Sequence, residues 1–249
     1  MKGVILAGGL GKRLYPLTKI TNKHLLPVGE RPMIYYPLQT LVRSGITEVL
    51  IVTGGQWSGD FLRLLGNGRE MGLSQLSYTF QEKEGGIADA LKLAEDFAGG
   101  SPITVILGDN IFPGDISSFL DHFDKQGKGA RVLLKEVSDP GHFGVAVLKD
   151  RRIQKLVEKP KSLISPYAVT GIYCYDSQVF EFIRQLKPSS RGELEITDVN
   201  SLYLKRKFLE YDFLDSEWLE AGTFYGLLKA NLYMARTEDR KRLLKELIP

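Results

Sequence analysis

The chain has 249 residues, 43% of them apolar and 25% charged, and its 33 basic and 30 acidic residues leave a formal net charge of +3. This length suffices for one core with a smaller appended lobe, and the mixed charges exclude the concentrated basic face of a typical nucleic-acid-binding protein. No apolar segment approaches the ~20 residues of a membrane span, and the glycine-broken N-terminus is unlike a signal peptide, so we expect a cytoplasmic protein without nucleic-acid or membrane partners.

The first half of the sequence alternates short β-branched segments with amphipathic ones. Strands buried on both faces are predicted at residues 4–7, 49–52 and 103–107, and a weaker, alternating strand at 76–80. Helices are predicted at residues 33–44, 61–65 and 87–97. Gly45 and Gly99 follow the first and third helices as stop signals. This alternation is typical of a mostly parallel sheet covered by helices.

The second half of the sequence is more mixed. Extended segments are predicted at residues 130–137, 145–148, 153–157 and 167–175. Helices are predicted at residues 177–186, 195–205, 224–236 and 238–247. The basic stretch 236–245 is interpreted as a solvated helix face, and the single cysteine, Cys174, as a buried strand residue. One α/β domain with an inserted β-rich lobe fits this pattern best.

A glycine-rich loop follows the first predicted strand directly. Gly8, Gly9 and Gly11 let backbone amides approach a phosphate closely, and Lys12 and Arg13 add positive charge. These features favour a phosphate-binding loop. A glycine turn with no bound ligand stays open when the loop is considered alone.

Two familiar phosphate-binding loops do not match this segment. A P-loop needs a glycine where Leu6 stands and a serine or threonine where Arg13 stands. The dinucleotide fingerprint needs a third glycine where Leu14 stands, and an acidic residue about 20 positions further on at a strand end. A phosphate site at this loop would therefore belong to a different class.

Several further sequence blocks narrow the class. They are residues 3–18 with 22–28, 107–112, 157–160, 167–173 and 191–198. In order and spacing these blocks resemble those of the sugar-nucleotide pyrophosphorylases, the nucleotidyltransferases that act on sugar 1-phosphates. They look most like a short form of the glucose-1-phosphate thymidylyltransferase branch. The resemblance implies a Rossmann-like, mostly parallel sheet flanked by helices, with a smaller β-rich sugar-binding lobe.

The resemblance also implies a reaction and an organisation. One nucleotidyltransferase domain would span residues 1–249, with a nucleotide-binding part at about 1–112 and a sugar-binding part at about 113–249. It would transfer a nucleotidyl group from dTTP to glucose 1-phosphate with Mg²⁺, giving dTDP-glucose and pyrophosphate. UTP is an alternative nucleotide, and a uridylyl- or cytidylyltransferase acting on another sugar 1-phosphate is an alternative enzyme. A non-catalytic nucleotide-sugar sensor is the alternative from another class.

On the nucleotide side, the resemblance gives Arg13 and Lys23 catalytic roles, since two polyanions must be held together while pyrophosphate leaves. His24, beside Lys23, is interpreted as a shaping residue. Gln81 is the predicted contact of the base, because its side-chain amide can both donate and accept hydrogen bonds and so suits the imide edge of thymine or uracil. The nucleotide-binding set that the resemblance implies is Leu6, Gly8, Gly9, Gly11, Gln81, Gly86 and Asp109.

Two carboxylates are the predicted Mg²⁺ ligands. Asp109 follows the strand predicted at 103–107, where ligand sites of open α/β sheets lie, and carboxylate oxygens suit Mg²⁺. The resemblance places the second carboxylate in a Trp-x-Asp-x-Gly-Thr block, but residues 218–223 carry Glu220 instead of aspartate. The longer side chain predicts a lowered turnover, a shifted metal requirement or a retracted backbone.

For the sugar 1-phosphate, the resemblance implies seven positions: Ile87, Gly144, Glu158, Lys159, Val169, Tyr173 and Arg191. Glu158 would accept hydrogen bonds from sugar hydroxyls, and Lys159 and Arg191 would hold the sugar phosphate. Phe143 replaces a tyrosine common in the family. Longer members use a C-terminal extension in an interface and a regulatory site, so the resemblance does not extend to their tetramer or their feedback control. We expect a homo-oligomer whose size the sequence does not determine.

Overall fold

The computed structural model describes residues 1–235. The strands are β1 Lys2–Ala7, β2 Pro27–Val28, β3 Arg31–Pro32, β4 Glu48–Gly54, β5 Gln75–Gln81, β6 Ile103–Leu107, β7 Asn110–Ile111, β8 Ala130–Glu136, β9 Gly144–Lys149, β10 Arg152–Glu158, β11 Tyr167–Tyr175, β12 Leu209–Phe213 and β13 Leu219–Glu220. The helices are α1 Tyr35–Arg43, α2 Ser58–Leu65, α3 Ile87–Lys92, α4 Glu95–Ala98, α5 Ser117–Gln126, α6 Gln178–Arg184, α7 Ile196–Lys205 and α8 Phe224–Met234. Short 3₁₀ turns lie at Lys12–Leu14, Leu17–Lys19, Lys23–Leu25, Arg69–Met71 and Pro140–His142.

A nine-stranded sheet organises the molecule. Strands β5, β4, β1 and β6 pair in parallel in that order. Strand β11 then pairs antiparallel with β6 and with β8, and β12 pairs in parallel with β8. The β9–β10 hairpin joins the start of β11 through Val145 and Ala168. The predicted mostly parallel sheet is confirmed, and the extended segments of the second half continue it.

Helices cover both faces of the sheet because its central strands are apolar on both faces. In β1, Val4 packs into a core with α3, α6 and α7, whereas Ile5 packs into a second core with α1, α2 and α5. Cys174 is fully buried in β11, as predicted, and burial raises the pKa of its thiol to about 12. No helix among residues 1–235 is both long and apolar enough to cross a membrane.

Three features differ from the sequence prediction. The helix predicted at 87–97 is two helices, because the amides of Leu93 and Ala94 bond carbonyls three residues back and turn the chain between α3 and α4. Helix α5 and edge strand β12 were not predicted, although both segments carry a local signal: Phe119, Leu120 and Phe123 have helical spacing, and Leu209–Phe213 alternates apolar and acidic residues. The helix predicted at 238–247 and the basic stretch 236–245 lie outside the described residues.

Candidate active site

The predicted phosphate-binding loop lies at the carboxyl edge of the parallel strands. The parallel register sets Ala7 at the end of β1 opposite Thr53 in β4. The two chains approach so closely there that a Cβ on Gly54 would lie 2.5 Å from the Gly8 carbonyl oxygen. Gly108, after β6, donates its amide hydrogen to the Leu6 oxygen at 2.9 Å, while the Leu6 side chain packs in the core. The loops after three strands therefore meet at one edge of the sheet.

Gly11 has the conformational requirement that makes this loop compact. Its φ is +67°, and a Cβ there would lie 2.7 Å from Thr18 Cγ2 and 2.9 Å from Lys23 Cβ. The following 3₁₀ turn buries Leu14 and leaves the Arg13 side chain 59% exposed. Lys23 Nζ lies 3.7 Å from the Cβ position of Gly9. The glycine loop therefore has both predicted catalytic cations next to it, Arg13 directly after the loop and Lys23 packed against Gly9 and Gly11.

Two carboxylates and two cations meet beside Gly222. Lys23 Nζ bonds to Asp109 Oδ2, and Arg13 Nη2 donates to Glu220 Oε1 at 3.1 Å. A Cβ on Gly222 would lie 2.4 Å from Glu220 Oε1, 2.7 Å from Asp109 Oδ2 and 3.0 Å from Arg13 Nη2. The residue pair Glu220–Asn110 in the β13–β7 ladder sets the two carboxylates side by side. Residues as far apart in sequence as 13 and 220 thereby share one site.

The electrostatics of the pair are asymmetric. Burial alone would raise the pKa of Asp109, but the charge and hydrogen bond of Lys23 hold it well below its usual range. Burial, and next the charge of Asp109, raise the pKa of Glu220 above its usual value, and Arg13 only partly offsets them. Two buried carboxylates this close repel each other, so the arrangement favours further positive charge between them.

The donor set fits a hard divalent cation. Mg²⁺ is commonly held by one or two carboxylates, with substrate phosphates and waters completing its octahedron. Asp109 and Glu220 converge in this way. Within residues 1–235 no group of three or more His, Cys, Asp or Glu side chains is placed to hold a metal. A metal at this site would therefore take its remaining ligands from substrate and water.

Asn110, whose role the sequence did not indicate, fixes Asp109. Its Nδ2 donates to Asp109 Oδ1 at 2.9 Å, and its Oδ1 accepts from Trp218 Nε1 at 2.6 Å and from the Gly171 amide at 3.1 Å. Asn110 is 2% exposed, so its orientation is set entirely by these buried partners. Asn110 therefore links Asp109 to β11 and to the segment that carries Glu220.

Phe143, in place of the family tyrosine, packs against Trp218 with ring centroids 4.8 Å apart.

His24 is a buried, neutral residue behind Lys23 and Asp109. Its backbone amide and its Nδ1 lie 2.9 and 2.7 Å from Asn22 Oδ1, and a Cβ on Gly108 would lie 2.7 Å from its ring. Burial, and next the charge of Lys23, lower its pKa from 6.5 to about 3. A neutral ring packed in this way agrees with the interpretation of His24 as a shaping residue.

The low pKa of His24 predicts a pH-dependent stability. As the pH falls below 6.5, His24 becomes protonated in the unfolded chain, whereas in the folded protein it stays neutral until about pH 3. Its stabilising contribution is therefore complete above pH 6.5 and decreases below it, by about 1.4 kcal/mol per pH unit. Between pH 6.5 and 5.0, urea unfolding should show His24→Gln losing about 2 kcal/mol less stability than the unchanged chain. Equal losses in the two proteins would contradict this account.

Gln81 and Gly86 lie on the other side of the glycine loop. Gln81, at the end of β5, is 8% exposed, and its Oε1 would lie 2.7 Å from a Cβ on Gly8. Gly86 has a φ of +98°, and a Cβ there would lie 2.6 Å from the Leu194 carbonyl oxygen. The structure therefore brings Gln81 to the glycine loop, and packs Gly86 against the segment that carries Arg191.

Glu84, which the sequence did not single out, contacts the glycine loop in this structure. Its two carboxylate oxygens accept hydrogen bonds from the Leu10 amide at 3.0 Å and from Lys12 Nζ at 2.6 Å. Burial opposes ionisation, but these hydrogen bonds outweigh it and hold the pKa of Glu84 below its usual value. A carboxylate thus occupies donors that the sequence predicts for a phosphate. These donors do bind an anion, which is the chemistry expected of the loop.

The predicted sugar-binding residues form a second group around Glu158. A Cβ on Gly144 would lie 3.4 Å from Glu158 Oε2 and 4.0 Å from Val169 Cβ. Thr197, which the sequence analysis did not single out, joins this group, since its hydroxyl donates to Glu158 Oε2 at 2.5 Å. Because Gly144 has no side chain, the space beside the Glu158 carboxylate is open between the backbones of β9 and β11.

Two cations accompany the Glu158 carboxylate. Lys159 Nζ and Arg191 Nη2 each lie 3.8 Å from Glu158 Oε1. Arg191 is also held by Glu195, with Nε and Nη2 donating at 3.0 and 2.9 Å. This geometry offers a carboxylate for hydroxyl groups beside cations for a phosphate.

Tyr173 connects the two groups of residues. It is 4% exposed, and burial, then the charges of Glu158 and Asp109, raise the pKa of its hydroxyl. Ile87, at the start of α3, packs partly buried against the same core. Tyr173 is therefore close to both the carboxylate pair and the Glu158 group, and Ile87 packs against the core that contains Tyr173.

Known proteins are similar to this chain over most of its length. The sequence profile of the nucleotidyl transferase family matches residues 2–237. A Neisseria meningitidis protein named glucose-1-phosphate thymidylyltransferase is 42% identical over 247 residues, which cover 98% of this chain and 85% of that protein. A crystal structure of a candidate glucose-1-phosphate thymidylyltransferase from Bacillus anthracis, in complex with sucrose, is 54% identical, with a TM-score of 0.90 and 94% of each chain covered. A UDP-glucose pyrophosphorylase complexed with UDP-glucose is 25% identical, with a TM-score of 0.83, covering 92% of this chain and 96% of that one.

Proposed function

The chain belongs to the nucleotidyl transferase family, and on that premise we propose that it transfers a thymidylyl group from dTTP to glucose 1-phosphate, giving dTDP-glucose and pyrophosphate. One observation carries the proposal: Arg13, Lys23, Asp109 and Glu220 converge at the open side of the glycine loop. Two cations and two carboxylates are what a transfer between two polyanionic substrates requires.

In this proposal the sugar phosphate oxygen attacks the α-phosphorus of the nucleotide, and the bond to pyrophosphate breaks. Backbone amides of the glycine loop and Arg13 hold the triphosphate, and Arg13 stabilises the charge that develops on the leaving pyrophosphate. Lys23, next to Asp109, holds the α-phosphate close to the sugar phosphate. Glu84 would have to release the Leu10 amide and Lys12 when the triphosphate binds.

A divalent metal, which we propose to be Mg²⁺, would be held by Asp109 and Glu220. When bound it supplies charge neutralisation and orientation of the phosphates. The two residues would present one carboxylate each, side by side in the space next to Gly222. Lys23 and Arg13, which neutralise the carboxylates in this structure, would then be free to contact the phosphates.

We further propose a nucleotide-binding part at about residues 1–112, a sugar-binding part at about 113–249, and a homo-oligomeric assembly. Within these parts, Glu158 and the Val169 backbone would contact the sugar hydroxyls beside Gly144. Lys159 and Arg191 would hold the sugar phosphate, as their approach to Glu158 permits. Ile87 and Tyr173 would line the pocket between sugar and nucleotide.

The base is the less determined part of the substrate. Thymine and uracil present the same imide edge to Gln81, and an apolar pocket discriminates one methyl group by only about 1–3 kcal/mol. The thymidylyltransferase names of relatives at 41–42% identity favour dTTP, whereas the UDP-glucose pyrophosphorylase neighbour is 25% identical. UTP is therefore the second candidate.

Pyrophosphate release from a matrix of nucleoside triphosphates and sugar 1-phosphates tests the function. We expect the highest kcat/KM with dTTP and glucose 1-phosphate in the presence of Mg²⁺. A higher value with UTP or CTP would assign the chain to a related transferase. Measurable dTTP binding without pyrophosphate release from any pair would instead favour the nucleotide-sugar sensor.

Glu220 carries the sharpest prediction about turnover. Because aspartate is the residue implied by the resemblance, Glu220→Asp should preserve kcat/KM or raise it. Glu220→Gln keeps the side-chain length but removes the charge that pairs with Arg13, and should lower kcat/KM by about 10²-fold. Pyrophosphate release over a Mg²⁺ titration measures both. A complete loss in Glu220→Asp would mean that the site has been rebuilt around glutamate.

A further inference from the structure

We propose that Asp89 is a positioning residue that fixes the orientation of the Gln81 amide, and that it thereby selects thymine or uracil over cytosine. Both residues lie at the loop between β5 and α3, with Gln81 ending the strand and Asp89 in the first turn of the helix. The inference rests on the proposed function in one respect, because it takes the nucleotide base to bind beside Gln81.

The contact between the two side chains is short and direct. Gln81 Nε2 donates to Asp89 Oδ2 at 2.7 Å and reaches the Gly86 carbonyl oxygen at 3.4 Å. Gly85 leaves room for this contact, since a Cβ there would lie 2.4 Å from Asp89 Oδ2. Gln81 is 8% exposed, so few other rotamers are available to it.

The chemistry of the neighbours determines which way the amide faces. An ionised carboxylate and a backbone carbonyl are acceptors only, so the group between Asp89 and Gly86 must be the NH₂ donor. A flipped amide would set the Gln81 carbonyl oxygen against a carboxylate oxygen at the same 2.7 Å, which is repulsive. Asp89 thus holds the amide in one of its two orientations.

The locked orientation leaves the Gln81 carbonyl oxygen facing the glycine loop. Oε1 would lie 2.7 Å from a Cβ on Gly8, so the glycine keeps the space beside this oxygen open. Among the described residues, no donor forms a hydrogen bond with Oε1. The site therefore presents one acceptor of fixed position to a ligand.

An acceptor at this position distinguishes pyrimidines by ring nitrogen N3. In thymine and uracil N3 carries a hydrogen that can be donated to Oε1, whereas N3 of cytosine is itself an acceptor. A site that offers a fixed partner rejects a ligand lacking the matching group far more strongly than it rejects a missing methyl group. The Asp89–Gln81 pair therefore selects bases with a hydrogen on N3 and does not discriminate between thymine and uracil.

The test compares dTTP, dUTP and dCTP as substrates for Asp89→Asn. Asparagine has the same shape but can also donate, so the Gln81 amide can adopt either orientation. We expect kcat/KM for dTTP and dUTP to fall together, by about twofold if the two orientations become equally populated, while dCTP is unaffected or improved. The dTTP to dCTP ratio should fall accordingly, and the dTTP to dUTP ratio should stay constant.

Asp96→Asn is the matched control. Asp96 also lies in the first turn of a helix, α4, but it is exposed, so the same loss of charge should leave all three values unchanged. A double-mutant cycle adds a readout that a merely structural role would not move. In a Gln81→Ala background, Asp89→Asn should not change the dTTP to dCTP ratio any further.

Several outcomes would overturn the inference. An equal fall with all three nucleotides, or an unchanged dTTP to dCTP ratio in a folded Asp89→Asn protein, would show that Asp89 is only structural. If Asp89→Asn does not fold, Asp89→Ala removes the acceptor without adding a donor, and must still lower the ratio. If the unchanged chain releases no pyrophosphate, the proposed function fails by itself, and the same ratio measured as Kd by calorimetry decides the inference separately.

Discussion

Replacement of Asp109 by asparagine is expected to lower kcat/KM for nucleotidyl transfer by about 10²-fold or more, the largest class of effect for a single charge-stabilising group. Asparagine keeps the shape of the side chain, and its oxygen can still accept from Asn110. The negative charge that would hold the metal and that neutralises Lys23 is lost. The change therefore removes the charge that would hold the metal at the reacting phosphates and keeps the shape of the side chain.

The same substitution should also reduce stability. Lys23 and Asp109 have side chains only 13% and 9% exposed, so the variant leaves a largely buried ammonium without its counter-charge. Loss of one partner of a buried pair costs about 3 kcal/mol. The free energy of unfolding must be measured alongside kcat/KM, at a temperature where both proteins are folded.

Pyrophosphate release across a wide Mg²⁺ range separates the two effects. If Asp109 holds the metal, the Mg²⁺ concentration for half-maximal rate should rise in the variant. Asp121→Asn, an exposed aspartate of α5, is the matched control and should alter neither quantity. Near-normal turnover of Asp109→Asn at every Mg²⁺ concentration would rule out the proposed role.

Removal of the Arg13 side chain is the second change with a large expected effect. Arg13→Ala should lower kcat by about 10²–10³-fold, because its guanidinium is placed to stabilise charge on the leaving pyrophosphate. The Arg13 side chain is 59% exposed in this structure, so its loss should leave the melting temperature nearly unchanged. A fall in activity without a fall in stability is the signature of a group that acts on the substrate.

Two further variants test whether charge or geometry matters at position 13. Arg13→Lys keeps the charge but loses the planar, bidentate fork, and should recover only part of kcat. Lys19→Ala, an exposed cation in the neighbouring 3₁₀ turn, is the control and should retain full activity. If Arg13→Ala raised only the KM for dTTP and left kcat intact, Arg13 would contribute to ground-state binding alone.

The identity of the site was readable in part from local sequence. Gly8, Gly9 and Gly11 follow a buried strand directly, and a phosphate loop at that position is a local property of the chain. The position of Asp109 after an apolar strand similarly predicts the carboxyl edge of a sheet. Glu220 has no such local signal, and only its resemblance to a family block connected it with Asp109.

The local patterns were less informative about where helices break and which edge strands form. Residues 87–97 keep helical spacing throughout, yet the chain turns at Leu93 and Ala94, where the backbone amides bond carbonyls three residues back. Strand β12 alternates apolar and acidic residues from Leu209 to Phe213, but this pattern does not show where the strand pairs, and the fold places it parallel to β8. Periodicity reports the face that a segment buries, but the neighbouring elements decide where it ends.

The glycine-rich loop, the parallel sheet and the family follow from the sequence by itself, because each depends on residues adjacent in the chain or on blocks in fixed order. The partners of the site residues depend on tertiary structure. Glu84 reaches Leu10 and Lys12 across more than seventy residues, and Asn110 bonds Trp218 across 108. Such contacts follow from strand register and helix packing, which bring distant residues together irrespective of the local pattern. The orientation of Gln81 by Asp89 belongs to the same class, because the sequence shows an amide and only the fold shows which of its atoms faces the ligand.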